Sequence, residues 1–159
     1  MCFLFYFFIF AVLYTYQTES RCIVSEDLQP LNLHQEECIA ELSLDRETMA
    51  LLSTQEFPPE DNFDCNRFYS CFWKKQGFQD EFGQINYHAL EGETFNFLCQ
   101  QVGSSEDSME YAKYLAKRSV NDCKTVTGTS DGQKAVKFHN CIYRRLFVLV
   151  KQPEDYKNI

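Results

Sequence analysis

Phe63 to Gly83 reads FDCNRFYSCFWKKQGFQDEFG, and this stretch decides the fold. Phe68 with Phe72, and Tyr69 with Trp73, recur at helical spacing, so the segment predicts a helix that is apolar over a wide arc. Such a helix must be surrounded on several sides. Cys65 and Cys71 can staple it to its neighbours, and Gly77 to Gly83, with Asp80 between them, predict the turn that ends it.

Working outward, Leu31 to Leu44 predicts an amphipathic helix, with Leu33, Cys38, Ile39 and Leu42 inward and His34, Glu36, Glu37 and Glu41 between them. Ser43 or Asp45 can cap a second, Asp45 to Thr54, which Phe57, Pro58 and Pro59 stop. Beyond the central helix, Ile85 to Val102 predicts a fourth, with Ile85, His88 or Ala89, Phe95, Leu98 and Val102 along its inward face and Gly92 a weak point where it could break. Ser105 starts a fifth, acidic in its first turn and basic towards its end, with Met109, Ala112, Leu115, Ala116 and Val120 inward. Gln133 to Val150 predicts the sixth, and Phe147 to Val150, too apolar to be solvated, should pack back on the body. No strand pattern or internal repeat competes. The expected class is all-α: a six-helix, disulfide-stapled bundle.

Met1 to Ser20 is an apolar, aromatic run closed by Thr18, Glu19 and Ser20. Its core of about fourteen residues is short of the roughly 20 that span a bilayer, so residues 1–20 are expected to be a secretory signal peptide and 21–159 a single secreted domain. Seven of the eight cysteines would remain in that domain, implying an oxidising compartment and at least one odd thiol. The chain carries a net charge of −8, and its lysines and arginines are scattered, which argues against nucleic acid and stable membrane association. His34, His88 and His139 are too widely spaced to predict a metal site. DEFGQIN lacks the alternating oxygens of a calcium loop, and no nucleophile with base and orienter stands out. Neither catalysis nor a cofactor is expected.

From Cys123 to Cys141 the chain reads CKTVTGTSDGQKAVKFHNC, and KKQGFQDEFGQIN follows Cys71 closely, itself two helices after Cys38. This frame resembles the insect odorant-binding protein family, the pheromone and general odorant-binding proteins, from Leu33 to Val150. The resemblance implies a secreted six-helix carrier fold in which six cysteines pair first with third, second with fifth and fourth with sixth. Cys38, Cys71, Cys123 and Cys141 match the first, third, fourth and sixth, implying the pairs Cys38 with Cys71 and Cys123 with Cys141. The second falls on Arg67 and the fifth on Gly132, the pattern of a subgroup lacking that bridge, which leaves the tie between the third and sixth helices in question. Outside the frame, Cys65 and Cys99 would lie equally far from a turn near Glu81 and Phe82 if the third and fourth helices formed a hairpin. A bridge between them is therefore expected, with Cys22 the odd thiol.

The aromatic residues are more than a small helical core requires. The resemblance implies a hydrophobic cavity between the helices, closed in part by the C-terminal tail, that holds an odorant, pheromone or fatty acid, with a chemosensory receptor as a further partner. Phe68, Phe72, Phe95, Leu115, Phe138, Phe147 and Leu149 are the implied lining, and Tyr111 and Tyr114 are candidate polar handles. A histidine near pH 6.5 would permit acid-triggered release, with His139 best placed. Two rivals remain. One is a scavenger of biogenic amines or lipid mediators, like the salivary relatives of blood-feeding flies, for which Glu110 or Asp122 would supply the acid. The other is an extracellular interaction protein whose core is filled by its own side chains.

Overall fold

The structure is a computed structural model that describes residues 31–102 and 105–151; the expected signal segment, the arm with Cys22 and the end of the tail lie outside these. Among the described residues there are six α-helices, α1 (Leu33–Leu42), α2 (Arg46–Ser53), α3 (Phe63–Lys75), α4 (Tyr87–Val102), α5 (Glu106–Asp122) and α6 (Asp131–Lys151), and no strand. Each of the first three starts on a side chain that accepts from an otherwise orphaned N–H. Asn32 does so in a capping box with Gln35, Asp45 accepts from Thr48, and Asn62 accepts from Cys65. Ser105 caps α5 in the same way, with Glu106 and Asp107 in the first turn. Asp45 is therefore the α2 cap, while Ser43 closes α1 with a left-handed backbone, φ 51°.

The α3–α4 connection is more ordered than its composition suggested. Gly77 and Gly83 adopt positive φ, and Asp80 accepts through Oδ1 from the N–H groups of Phe82 and Gln84. Ile85 pairs with Gln79 in an isolated bridge, and the Asn86 amide donates to the Gly77 carbonyl at 2.9 Å. Those bonds hold Ile85 outside the helix, which begins at Tyr87 instead. Nor does α4 break at Gly92, which sits exposed on a continuous helix.

Helix pairing corrects the expected hairpin. α3 packs on α1 and α6, whereas α4 lies against α5, and α5 also meets α6. Cys65 and Cys99 are accordingly not brought together: both are free thiols, Cys65 buried and Cys99 half-buried. The disulfides are Cys38–Cys71, joining α1 to α3 with Cα atoms 5.8 Å apart, and Cys123–Cys141, joining the end of α5 to α6 at 5.9 Å. Burial pushes the Cys65 thiol up to about 11, so it carries little reactive thiolate.

α3 and α6 hold together without a bridge. Gly132 lies directly on the Asn66 backbone carbonyl, leaving no room for a Cβ. Gln133 donates to Asp61 at 3.1 Å, and the buried Asn140 amide donates to the Pro58 carbonyl and to Glu60, both at 3.0 Å. The C-terminal end differs from expectation. Phe147 to Val150 continue α6, whose own i to i−4 bonds satisfy that backbone, rather than folding back as a separate tail; Leu149 packs against the core, while Phe147, Val148 and Val150 stay about half exposed.

Two glycine substitutions should move stability in opposite directions. Gly132→Ala forces a methyl group into a backbone carbonyl and should cost about 1–3 kcal/mol, whereas Gly92→Ala, with open space around its Cβ, should gain up to about 1 kcal/mol. Urea unfolding of both variants checks the signs. Alkylation of the native, oxidised protein should modify Cys99 well before Cys65, with Cys65 reacting only on unfolding; equal rates in mass-spectrometric peptide mapping would contradict its burial.

Candidate ligand cavity

The wide apolar arc of α3 turns Phe68, Tyr69, Phe72 and Trp73 towards a cavity of about 280 Å³. Facing it, α4 contributes Leu90, Glu93, Thr94 and Phe97, and α6 contributes His139, Ile142, Tyr143 and Leu146, each set at spacings of three and four along one helical stripe. Phe78 of the glycine-bounded loop, and Asn32, Gln35, Ser53 and Gln76, complete the wall. The rings brace one another. Phe68 stacks on Phe72 at 6.0 Å, Trp73 meets Phe78 edge-on at 6.0 Å, and Phe97 lies 6.0 Å from Tyr143.

His139 is enclosed by Tyr143 and Tyr69, with ring centroids 4.6 Å and 5.6 Å away. Its burial lowers the imidazole to about 4, only partly opposed by a hydrogen bond to the Glu56 backbone. The ring is therefore neutral across the mildly acidic range, and it is not the switch near pH 6.5 that the sequence suggested. Its Nε2 is buried and has no hydrogen-bond partner. Burial also raises the Tyr69 and Tyr143 hydroxyls, the latter with help from the negative charges of Glu56 and Glu93.

Of the residues expected to line a site, Phe68 and Phe72 stand in this wall. Phe95 faces the opposite side of α4, in an open groove with Met109, Glu110 and Lys113. Leu115 and Phe138 are sealed in the core, Phe138 supporting Trp73 from behind at 6.3 Å. Tyr111, Tyr114 and Leu149 pack against the core outside the cavity wall, and Phe147 rests beside Phe57 at 6.2 Å. Neither acid named for amine capture lines the cavity: Glu110 is in the outer groove and Asp122 pairs with Arg118 at 3.3 Å. Tyr143 and Phe97 were missed as wall residues and His139 was named only for its titration, although the spacing of His139, Ile142, Tyr143 and Leu146 along one face of α6 is legible in the sequence.

A family model, the PBP/GOBP family, matches residues 22–145. The chain belongs to the insect odorant-binding protein family. No curated protein and no solved structure matches it. Proteins of the odorant-binding family are small-ligand binding proteins rather than enzymes, and they are typically secreted. Nearly all of the cavity wall falls inside the matched span.

The buried histidine makes stability depend on pH. The unfolded ring titrates near 6.5 and the folded one near 4, so below pH 6.5 the unfolded chain binds a proton that the folded chain refuses. This contribution is fully present above pH 6.5 and is lost as pH falls through 4, by up to about 3 kcal/mol. Glu37 and Asp45, whose carboxyls are held below their ordinary values, act at lower pH with the same sign. Urea midpoints measured between pH 7 and 4.5 should fall for the native chain and flatten for His139→Phe.

Proposed function

We propose that this protein is a secreted carrier that shelters a small hydrophobic molecule in the cavity between α3, α4 and α6. One observation carries the reading: the aromatic stripe of α3 and the largely apolar stripes of α4 and α6 face a common space that their own side chains leave open. A core filled by itself, as the interaction-protein reading requires, would leave no such space beside the rings. An odorant, a pheromone or a fatty acid are candidate cargoes, and delivery to a chemosensory receptor is the corresponding partner. Among the described residues no helix is long and apolar enough to cross a membrane.

Burial of about 25 cal/mol per Å² of apolar ligand surface suffices for micromolar binding without a charged contact. The volume is slightly below the roughly 300–1,000 Å³ of common ligand sites, which favours a compact cargo over a long chain.

Trp73, the single tryptophan, lines the cavity and reports on its contents. Titration of the oxidised protein with an environment-sensitive apolar dye should be saturable, should change Trp73 emission, and should reverse on adding small apolar competitors. Thr94→Trp, which places a large ring in the same space, should weaken dye binding at least tenfold while the far-UV spectrum keeps its helical form. Failure of the native protein to bind any dye or competitor with both disulfides intact would leave a protein-interaction role as the better reading.

A further inference from the structure

The cavity is chemically one-sided. Glu93 is its single charged wall residue, and no lysine or arginine lines it. Glu93 and Glu56, the two acids whose charges act on Tyr143, form no ion pair with any described residue, although Glu36, Glu37, Glu41 and Glu60 all do. A third feature is independent of these carboxylates. His139 Nε2 is buried at the same wall with no partner; because the neutral ring interacts with the Glu56 backbone, we assign its proton to Nδ1, which makes Nε2 an acceptor. Tyr143 lines the same wall, its ring 4.6 Å from His139 and its hydroxyl in the field of Glu93.

A buried acceptor left open costs free energy that a donor on a bound molecule would recover. A carboxylate in the same place would meet Glu93, bring no proton to Nε2, and find no cation to replace its lost water. An ammonium meets none of those objections. It donates to both acceptors, and the faces of Tyr143, Tyr69 and Phe97 attract it through their negative quadrupoles. The net charge of −8 would also draw a cation towards the protein.

Building on the carrier reading, we infer that the cavity selects apolar molecules whose head is a protonated amine, held by Glu93 and His139 beside Tyr143, and discriminates against the carboxylate of a fatty acid. An alcohol, which can donate one hydrogen bond without charge, falls between the two.

The test uses one chain length with three heads: octylamine, 1-octanol and octanoate at pH 7, each displacing the apolar dye from the oxidised protein. Octylamine should bind at least tenfold more tightly than octanoate, with octanol intermediate. Glu93→Gln should narrow the amine-to-acid gap by about threefold to tenfold while leaving octanol within about twofold. Glu110→Gln, the same charge change in the outer groove, should leave the gap unaltered. Octanoate binding as well as octylamine would overturn the inference, as would a gap insensitive to Glu93→Gln, and in both cases dye and octanol binding would leave the carrier reading standing. Absence of binding by the dye and all three ligands to the native protein would overturn both.

Discussion

Everything in the cavity depends on how α3 meets α6. The two helices touch where Gly132 rests on the Asn66 carbonyl, and are kept apart by the pairs Tyr69 with His139 and Trp73 with Phe138, whose centroids are 5.6 Å and 6.3 Å apart. One contact is close because a side chain is missing; the others are wide because two rings must fit. The space beside those rings, closed by α4, is the cavity. A uniformly small interface would have sealed it, and a uniformly bulky one would have had no fixed point from which to hold it open.

That interface has no covalent tie, and its energetics are consequently of another kind. A disulfide typically contributes about 2–4 kcal/mol, largely through the unfolded chain. Here Asn140 to Pro58 and Glu60, and Gln133 to Asp61, supply hydrogen bonds worth on the order of 1 kcal/mol each, and Lys74 to Asp131 at 3.1 Å is partly solvent-screened and adds less. Their sum is comparable with a bridge. Unlike a bridge, they hold only while α3, the Pro58 loop and α6 are in register, so this part of the fold is kept by cooperativity and the other two joints, Cys38–Cys71 and Cys123–Cys141, by covalent bonds.

How much of this was legible in the sequence follows from what local periodicity encodes. Caps are local, so Asp45, Ser105 and the apolar arc of α3 could be read directly, and Phe68 and Phe72 came with that arc. Helix pairing is not local: nothing in the spacing of Cys65 and Cys99 distinguishes a chain in which α4 folds onto α3 from one in which it folds onto α5. α4 was the least readable element because it is apolar on two sides. Leu98 is buried and Phe95 lies in the groove shared with α5, while Leu90, Thr94 and Phe97 face the cavity, and either stripe alone looks like an ordinary core face. Ile85 misled for a different reason. Its apolar side chain belongs to the core, but a backbone bridge to Gln79 decides where the helix begins.

His139 joins the chemistry of the cavity to the stability of the fold. Between about pH 6.5 and 4 the ring, whose affinity for a proton is lowered by burial, stays neutral in its place between Tyr69 and Tyr143, whereas the same ring in the unfolded chain is charged. Proton uptake in that range is therefore linked to unfolding, and acid raises the unfolded population. Any apolar cargo, which stabilises the folded form by mass action, opposes that shift. The occupied protein must therefore need a lower pH than the empty one to unfold, by an amount that grows with the affinity and concentration of whatever the cavity holds.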